Sequence, residues 1–276
     1  MSQTMKLKDI VNGQHNCKVI GRLIGLWDAK YVTTNSLISI DGVLLDGDGI
    51  MAQISVPKNL EKDFRSQLAQ DNVYIISGLD AVHLKNKSHS YHHQPYILQF
   101  TSTTKVNHLE SRGANIPHYG CQFCSFDEVP AKSIPSKPLL DLMGVISDVG
   151  PFDFAGPASK KKNRKIHIRN LDEQTQQIVL WDQQGETFDE KTVFEKSQKG
   201  IVVGIFAGLT AGKFLGNYEA SSGSATQIYI DLDLPEVATY RTSYKWEMPA
   251  LEEKCPRLSK RVLSKQWESY TLSKKY

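Results

Sequence analysis

The chain has 276 residues, 40% hydrophobic, 9% aromatic and 23% charged, with 33 Lys and Arg against 30 Asp and Glu for a net charge of +3. Such a composition excludes a collagen-like or wholly disordered chain, and so small a net charge does not by itself announce a nucleic-acid binder. There is no apolar run of the roughly 18 residues a membrane helix needs, no apolar signal core at the N-terminus, and only four cysteines (Cys17, Cys121, Cys124 and Cys255); we expect no membrane partner and reduced thiols in an intracellular compartment.

In chain order, residues 17–27 are apolar with glycines that permit a bent strand, and 35–41 alternate like a second. Asp-Gly pairs at 46–49 make a turn. Ile50, Ala52, Ile54 and Val56 alternate as a third strand that Pro57 closes. Leu60, Phe64 and Leu68, spaced by four, predict a short helix. Residues 72–79 give a fourth strand, the polar, histidine-rich stretch 80–93 a turn, and 95–101 a fifth strand. Five short strands with a helix between the third and fourth predict a small closed barrel, with the helix plugging one end.

The same order returns. Strands are predicted at 139–149, 165–171, 177–181, 201–209 and 225–232, with a helical or turned stretch at 185–194 in which Phe188 and Phe194 are candidate plugs. The expected organisation is therefore all-β: a first domain at 1–108, a proline-containing linker at 109–137, a second domain at 138–240 and a basic tail at 241–276 with a helix over 255–267. Ordered packing and a loose tether are both open for the linker.

Charge is uneven. Residues 113–240 carry 12 basic and 16 acidic side chains, yet hold the densest basic run, Lys160, Lys161, Lys162, Arg164 and Lys165. A solvated loop, a phosphate contact and a nuclear-import signal are all open readings of it.

The Trp27 region, the block DGDGIMAQISVPKNLEKDFRSQLAQDNVYIISGLDAV (46–82) and YHHQPYILQF (91–100) resemble the first domain of plant replication protein A large-subunit-like proteins. LMGVISDVG (142–150), KIHIRNLDEQTQQIVLWDQQGETF (165–188) and IVVGIFAGLTAGKFLG (201–216) resemble the adjoining single-strand-binding domain. The resemblance spans roughly residues 6–240. It implies tandem OB-fold barrels, a single-stranded DNA ligand (RNA being possible), a nuclear location and a role in replication, repair or recombination.

Aromatic faces stack on bases without reading sequence, and Lys and Arg hold phosphates. Trp181, closing QIVLW, and Phe214 stand at the family's stacking places, with Tyr218 a competitor for the second; a core role is the alternative for both. Lys213 suits a phosphate. Lys165, His167 and Arg169 alternate with Ile166 and Ile168, which places them on the binding face. In the first unit the third strand is aliphatic or polar, around Ile54, Ser55 and Val56, where classical members of the family carry a ring, a departure the plant relatives share. Its candidates are Trp27, Lys30, Tyr31, Tyr91, His92, His93 and Tyr96, with barrel packing open for Trp27 and a plain polar loop open for the 91–96 tract.

Other chemistry is weakly signalled. Cys121-x-x-Cys124 is half a zinc knuckle, a redox pair or plain linker cysteines. GLTAGKFLG (208–216) lacks the GxxxxGK[ST] phosphate loop, and no G-x-S-x-G or H-E-x-x-H motif occurs. We expect a binding protein rather than an enzyme, with no cofactor. The competing class is a protein-interaction or assembly module, with the tail over 250–276 as a partner surface.

Overall fold

The computed structural model describes residues 3–244 apart from 32, 85–88, 92, 110–114 and 135–136. The helix expected at 255–267 lies outside the described residues.

The first barrel is built from β1 (Cys17–Lys30), β2 (Leu37–Leu45), β3 (Met51–Pro57), β4 (Val73–His83) and β5 (Tyr96–Gln99). The strands close in the order β1-β2-β3-β5-β4-β1, with β3 and β5 parallel and every other pair antiparallel. A short helix, α1 (Glu61–Phe64), flanked by single 3-10 turns, joins β3 to β4. Phe64 and Leu68 point into the barrel, and Phe64 meets Phe100 edge-on at 5.0 Å. A sixth strand, β6 (Lys105–Leu109), pairs with the first half of β4.

The second barrel repeats this with β7 (Leu139–Val149), β9 (Lys162–Arg169), β10 (Thr175–Trp181), β11 (Val203–Phe214) and β12 (Asn217–Ser221). A two-residue strand, β8 (Asp153–Phe154), extends β9 into an arm, and β13 (Gln227–Ile230) pairs with the first half of β11 as β6 does with β4. The closing fifth strand is thus β12, not the 225–232 segment the pattern suggested. Val203–Phe214 form one long fourth strand that turns back within two residues. Two helices follow β10: α3 (Asp182–Glu186) and α4 (Glu190–Ser197). Asp189 caps α4 by accepting the Thr192 N–H at 2.9 Å. Phe188 and Val193 plug the barrel, while Phe194 is only half-buried. Both units have the OB-fold strand order, and the chain is a tandem of two OB-fold barrels.

The linker is packed rather than loose. Arg22, buried in the first barrel, donates to the carbonyls of Pro117 (3.1 Å), Ile116 (3.3 Å) and Asp71 (2.7 Å). Phe126 and Val129, the latter opening α2 (Val129–Lys132), enter the second barrel's core. An apolar cluster then joins the barrels: Trp27, Val43, Leu45, Tyr91 and Ile116 pack with Leu139 and Ala225. At its centre lies Asp141, 2% exposed. It accepts N–H groups of Gly208 (3.0 Å) and Gln122 (2.9 Å) and the Tyr91 hydroxyl. A last helix, α5 (Pro235–Tyr244), lays Val237 and Tyr240 on Val145, Val203 and Ile205.

Candidate nucleic-acid interface

In β9 the inward residues are Arg164, Ile166 and Ile168, and Lys165, His167 and Arg169 face outward. Across β10 the register sets Asn163 opposite Trp181, Lys165 opposite Val179, His167 opposite Gln177 and Arg169 opposite Thr175. β12 continues the sheet beside β10, and the Gln177 amide donates to Glu219 at 2.9 Å. Glu219 pairs across β11 with Gly212, two residues before Phe214. One outer face therefore carries Trp181 at one end, the Phe214 hairpin at the other and the three β9 side chains along its flank. Six residues of strand separate the Trp181 row from the Thr175 row, about 20 Å at an ordinary strand rise.

The hairpin is a two-residue turn, Leu215 at φ +49° and Gly216 at φ +86°, both left-handed as a type I′ connection requires. The turn lifts Phe214 (54% exposed), Leu215 (86%) and Tyr218 (38%) into solvent. Lys213 stands over the Tyr218 ring at 5.2 Å. Trp181 is half-buried, its backbone N–H donating to Ser222 Oγ at 2.8 Å.

Among the described residues, Lys160, Lys161, Lys162, Lys165, Arg169 and Lys213 take part in no ion pair. The Arg169 Nε is buried without a hydrogen-bond partner among them. His167 Nδ1 lies 3.3 Å from Asp148. These cations are available to an anion.

The basic run divides. Lys165 lies on the outer face. Lys160 and Lys161 are exposed in the arm, and Lys162 sits over Phe154 (5.0 Å) and Phe152 (5.6 Å) on the arm's other side. Arg164 leaves the candidate set. It is 5% exposed, donates to the carbonyls of Gly185 (2.9 Å) and Gly150 (3.0 Å), and is ion-paired with Glu190. Sequence reasoning passed over Phe152, Phe154 (57% exposed) and Leu215. The alternation of Phe152 and Phe154 just ahead of the lysines was the available signal.

The first barrel differs. Ile54 pairs with Leu98 as Ile178 pairs with Ala220, so the two faces can be matched row by row. Pro57 stands where Trp181 does, Asp41 where Lys165 does, Val43 where His167 does and Leu45 where Arg169 does. Ser55 and Gln53 donate to Asp41 at 2.7 and 3.1 Å, and Gln53 accepts the Tyr91 N–H at 2.8 Å.

Trp27 and Tyr91, each 7% exposed, meet edge-on at 6.0 Å between the barrels, and Tyr96, 1% exposed, donates its hydroxyl to the Leu7 carbonyl. His93 stacks on Tyr91 at 4.7 Å and lies 2.6 Å from Gln122 Oε1. Burial removes Trp27, Tyr91 and Tyr96 as base-stacking candidates, and its two contacts tie His93 to the same interface. Lys30 pairs with Asp28 at 3.4 Å, and Tyr31 is 56% exposed at the far end of this barrel. His92 lies outside the described residues.

Burial pushes the thiols of Cys121 and Cys124 up to about 12 and about 11. No group of three or more metal-ligating side chains gathers among the described residues.

Fold and site together define a tandem OB-fold protein with one open, cation-flanked face. No family model and no curated protein sequence matches the chain. Among solved structures it is similar to a chain of a replication protein A heterotrimer bound to single-stranded DNA, at TM-score 0.53 and 19% identity, over 88% of this chain and 55% of that one. The chain thus spans about half the length of that neighbour (55%), and the likeness is one of fold. It is also matched to the Ifi202 HINa domain in complex with a 20-bp double-stranded DNA (TM-score 0.41, 11% identity, 78% of this chain and 96% of that). A third match is an OB domain from Methanosarcina mazei (0.31, 23%, 40% and 85%). The two weaker scores add nothing to the fold assignment.

Proposed function

We propose that this protein binds single-stranded nucleic acid along the outer face of its second barrel, bases stacking on Trp181 and Phe214 and phosphates meeting Lys165 and Arg169, while Lys213 lies beside Tyr218 on the other side of the hairpin. The observation that carries the reading is the register. It puts two accessible rings and two cations without ion pairs on one continuous face, joined through Gln177 and Glu219. Stacking tolerates any base and cations follow the backbone, the combination that suits a single strand.

Single-stranded DNA is our preferred ligand, from the resemblance of the sequence to replication protein A large-subunit-like proteins and from the ligand of the neighbouring structure. RNA fits the same chemistry. A role in replication, repair or recombination, a nuclear location and the lack of an enzymatic activity belong to this proposal.

Fluorescence anisotropy with labelled single-stranded and duplex oligomers at two salt concentrations tests it. The expected outcome is a preference for single strands that weakens with salt. A folded chain carrying Trp181→Ala with Phe214→Ala whose affinity stays within about twofold of the parent would refute the stacking site, since each ring is expected to contribute about 1–3 kcal/mol.

A further inference from the structure

We propose that the second barrel alone holds the single strand, over the length of one barrel, and that the equivalent face of the first barrel is the seat on which the second is fixed. The inference rests on the groove reading above.

A tandem of like barrels suggests two grooves in series, and row-by-row matching argues against it. A phosphate that meets Lys165 in the second barrel would meet the carboxylate of Asp41 in the first. Leu45 replaces the Arg169 guanidinium, and Pro57 replaces the Trp181 ring. The face is also closed. Asp41, Gln53 and Ser55 are 9%, 2% and 6% exposed, while Val43 and Leu45 are packed in the cluster with Leu139 and Ala225. A strand entering there would have to break the Tyr91 bond to Gln53 and expose apolar side chains now shared with the second barrel. Each buried polar group left unpaired carries a desolvation penalty, and these rows of the face offer the strand no cation in return.

The exposed pair Lys30, the last residue of β1, and Tyr31 lies at the Pro57 end, because Ala29 pairs with Ser39 and Ser39 with Pro57. The docked end is the other one, at Leu45 and Met51. The open groove in the second barrel is about 20 Å long by strand rise, which belongs at the short end of the roughly 4–16 nucleotides that one OB fold engages.

The test uses the full chain and labelled oligothymidylates of increasing length, with affinity divided by the number of registers each oligomer offers. We expect this corrected affinity to level off by about 8 nucleotides and to stay within about twofold when Lys30→Ala and Tyr31→Ala are combined. In a one-to-one complex, a corrected affinity that rises about tenfold or more between about 8 and about 24 nucleotides overturns the inference, as does a similar loss on the Lys30/Tyr31 double substitution. If Trp181→Ala still weakens binding in that case, the groove reading stands and only the one-barrel footprint falls. A chain that binds no oligomer, or whose Trp181→Ala form binds like the parent, sinks both.

Discussion

Arg164 and Lys165 are neighbours in one basic run with opposite fates. Lys165 projects from the outer face, and Arg164 lies beneath it, bound to two carbonyls and to Glu190. Their substitutions should separate stability from binding. Arg164→Ala leaves those carbonyls and Glu190 without their donor and should cost about 1–3 kcal/mol in a denaturant titration, with little change in affinity while the chain is folded. Lys165→Ala should leave the unfolding midpoint in place and lower the slope of log affinity against log salt by about one, the release expected for one phosphate contact. A lysine variant that melts early, or an arginine variant that changes the salt slope, would reverse the two assignments. Strand alternation had already put Lys165, His167 and Arg169 outward. Extended one residue further it also predicts Arg164 inward, but the density of positive charge kept Arg164 with its neighbours among the phosphate-contact candidates.

Among the elements, the hairpin from β11 to β12 has the most direct bearing on the groove, because it carries Phe214. Leu215 and Gly216 hold the left-handed pair of dihedrals that Asn-Gly adopts most readily. Leu215→Asn should therefore keep the hairpin, raise the melting temperature slightly and leave single-strand affinity unchanged, since the exposed leucine is not one of the proposed stackers. Gly216→Val puts a β-branched side chain at φ +86° and should cost roughly 1–2 kcal/mol while weakening binding through a displaced Phe214. Thermal melts with anisotropy on the same samples check both. This turn is also where the sequence pattern misplaces the fifth strand. Gly216 and Asn217 mark a reversal, but the glycine-rich stretch 208–216 reads as a long turn, and the apolar alternation over 225–232 is a stronger strand signal than the polar residues of β12.

For the whole molecule, the decisive contact is where Asp141 joins Tyr91 of the first barrel, Gln122 of the linker and Gly208 of β11. All three donate, so the site calls for a carboxylate, an acceptor at both oxygens. Gly208, at φ +71°, leaves no space either, since a Cβ there would lie 2.7 Å from the Tyr91 hydroxyl. Asp141→Asn brings an amide N–H group against a donor and should destabilise the chain by about 1–3 kcal/mol, with the barrels losing their fixed arrangement before either unfolds. Small-angle scattering and a denaturant titration of the variant would show it, and an unchanged profile in both would mean that the apolar cluster alone sets the arrangement.

Periodicity, turn residues and the order of elements were enough to show two five-stranded barrels, each with a helical plug, and to choose the outward side of β9, because these follow from local sterics and the two-residue repeat of a strand. The fate of those outward sides was decided only in three dimensions. Asp41, Val43 and Leu45 alternate as Lys165, His167 and Arg169 do, yet one face is sealed beneath Tyr91 and a neighbouring barrel while the other is open. Alternation tells a side chain which way to point; what comes to rest on it is set by segments far away along the chain.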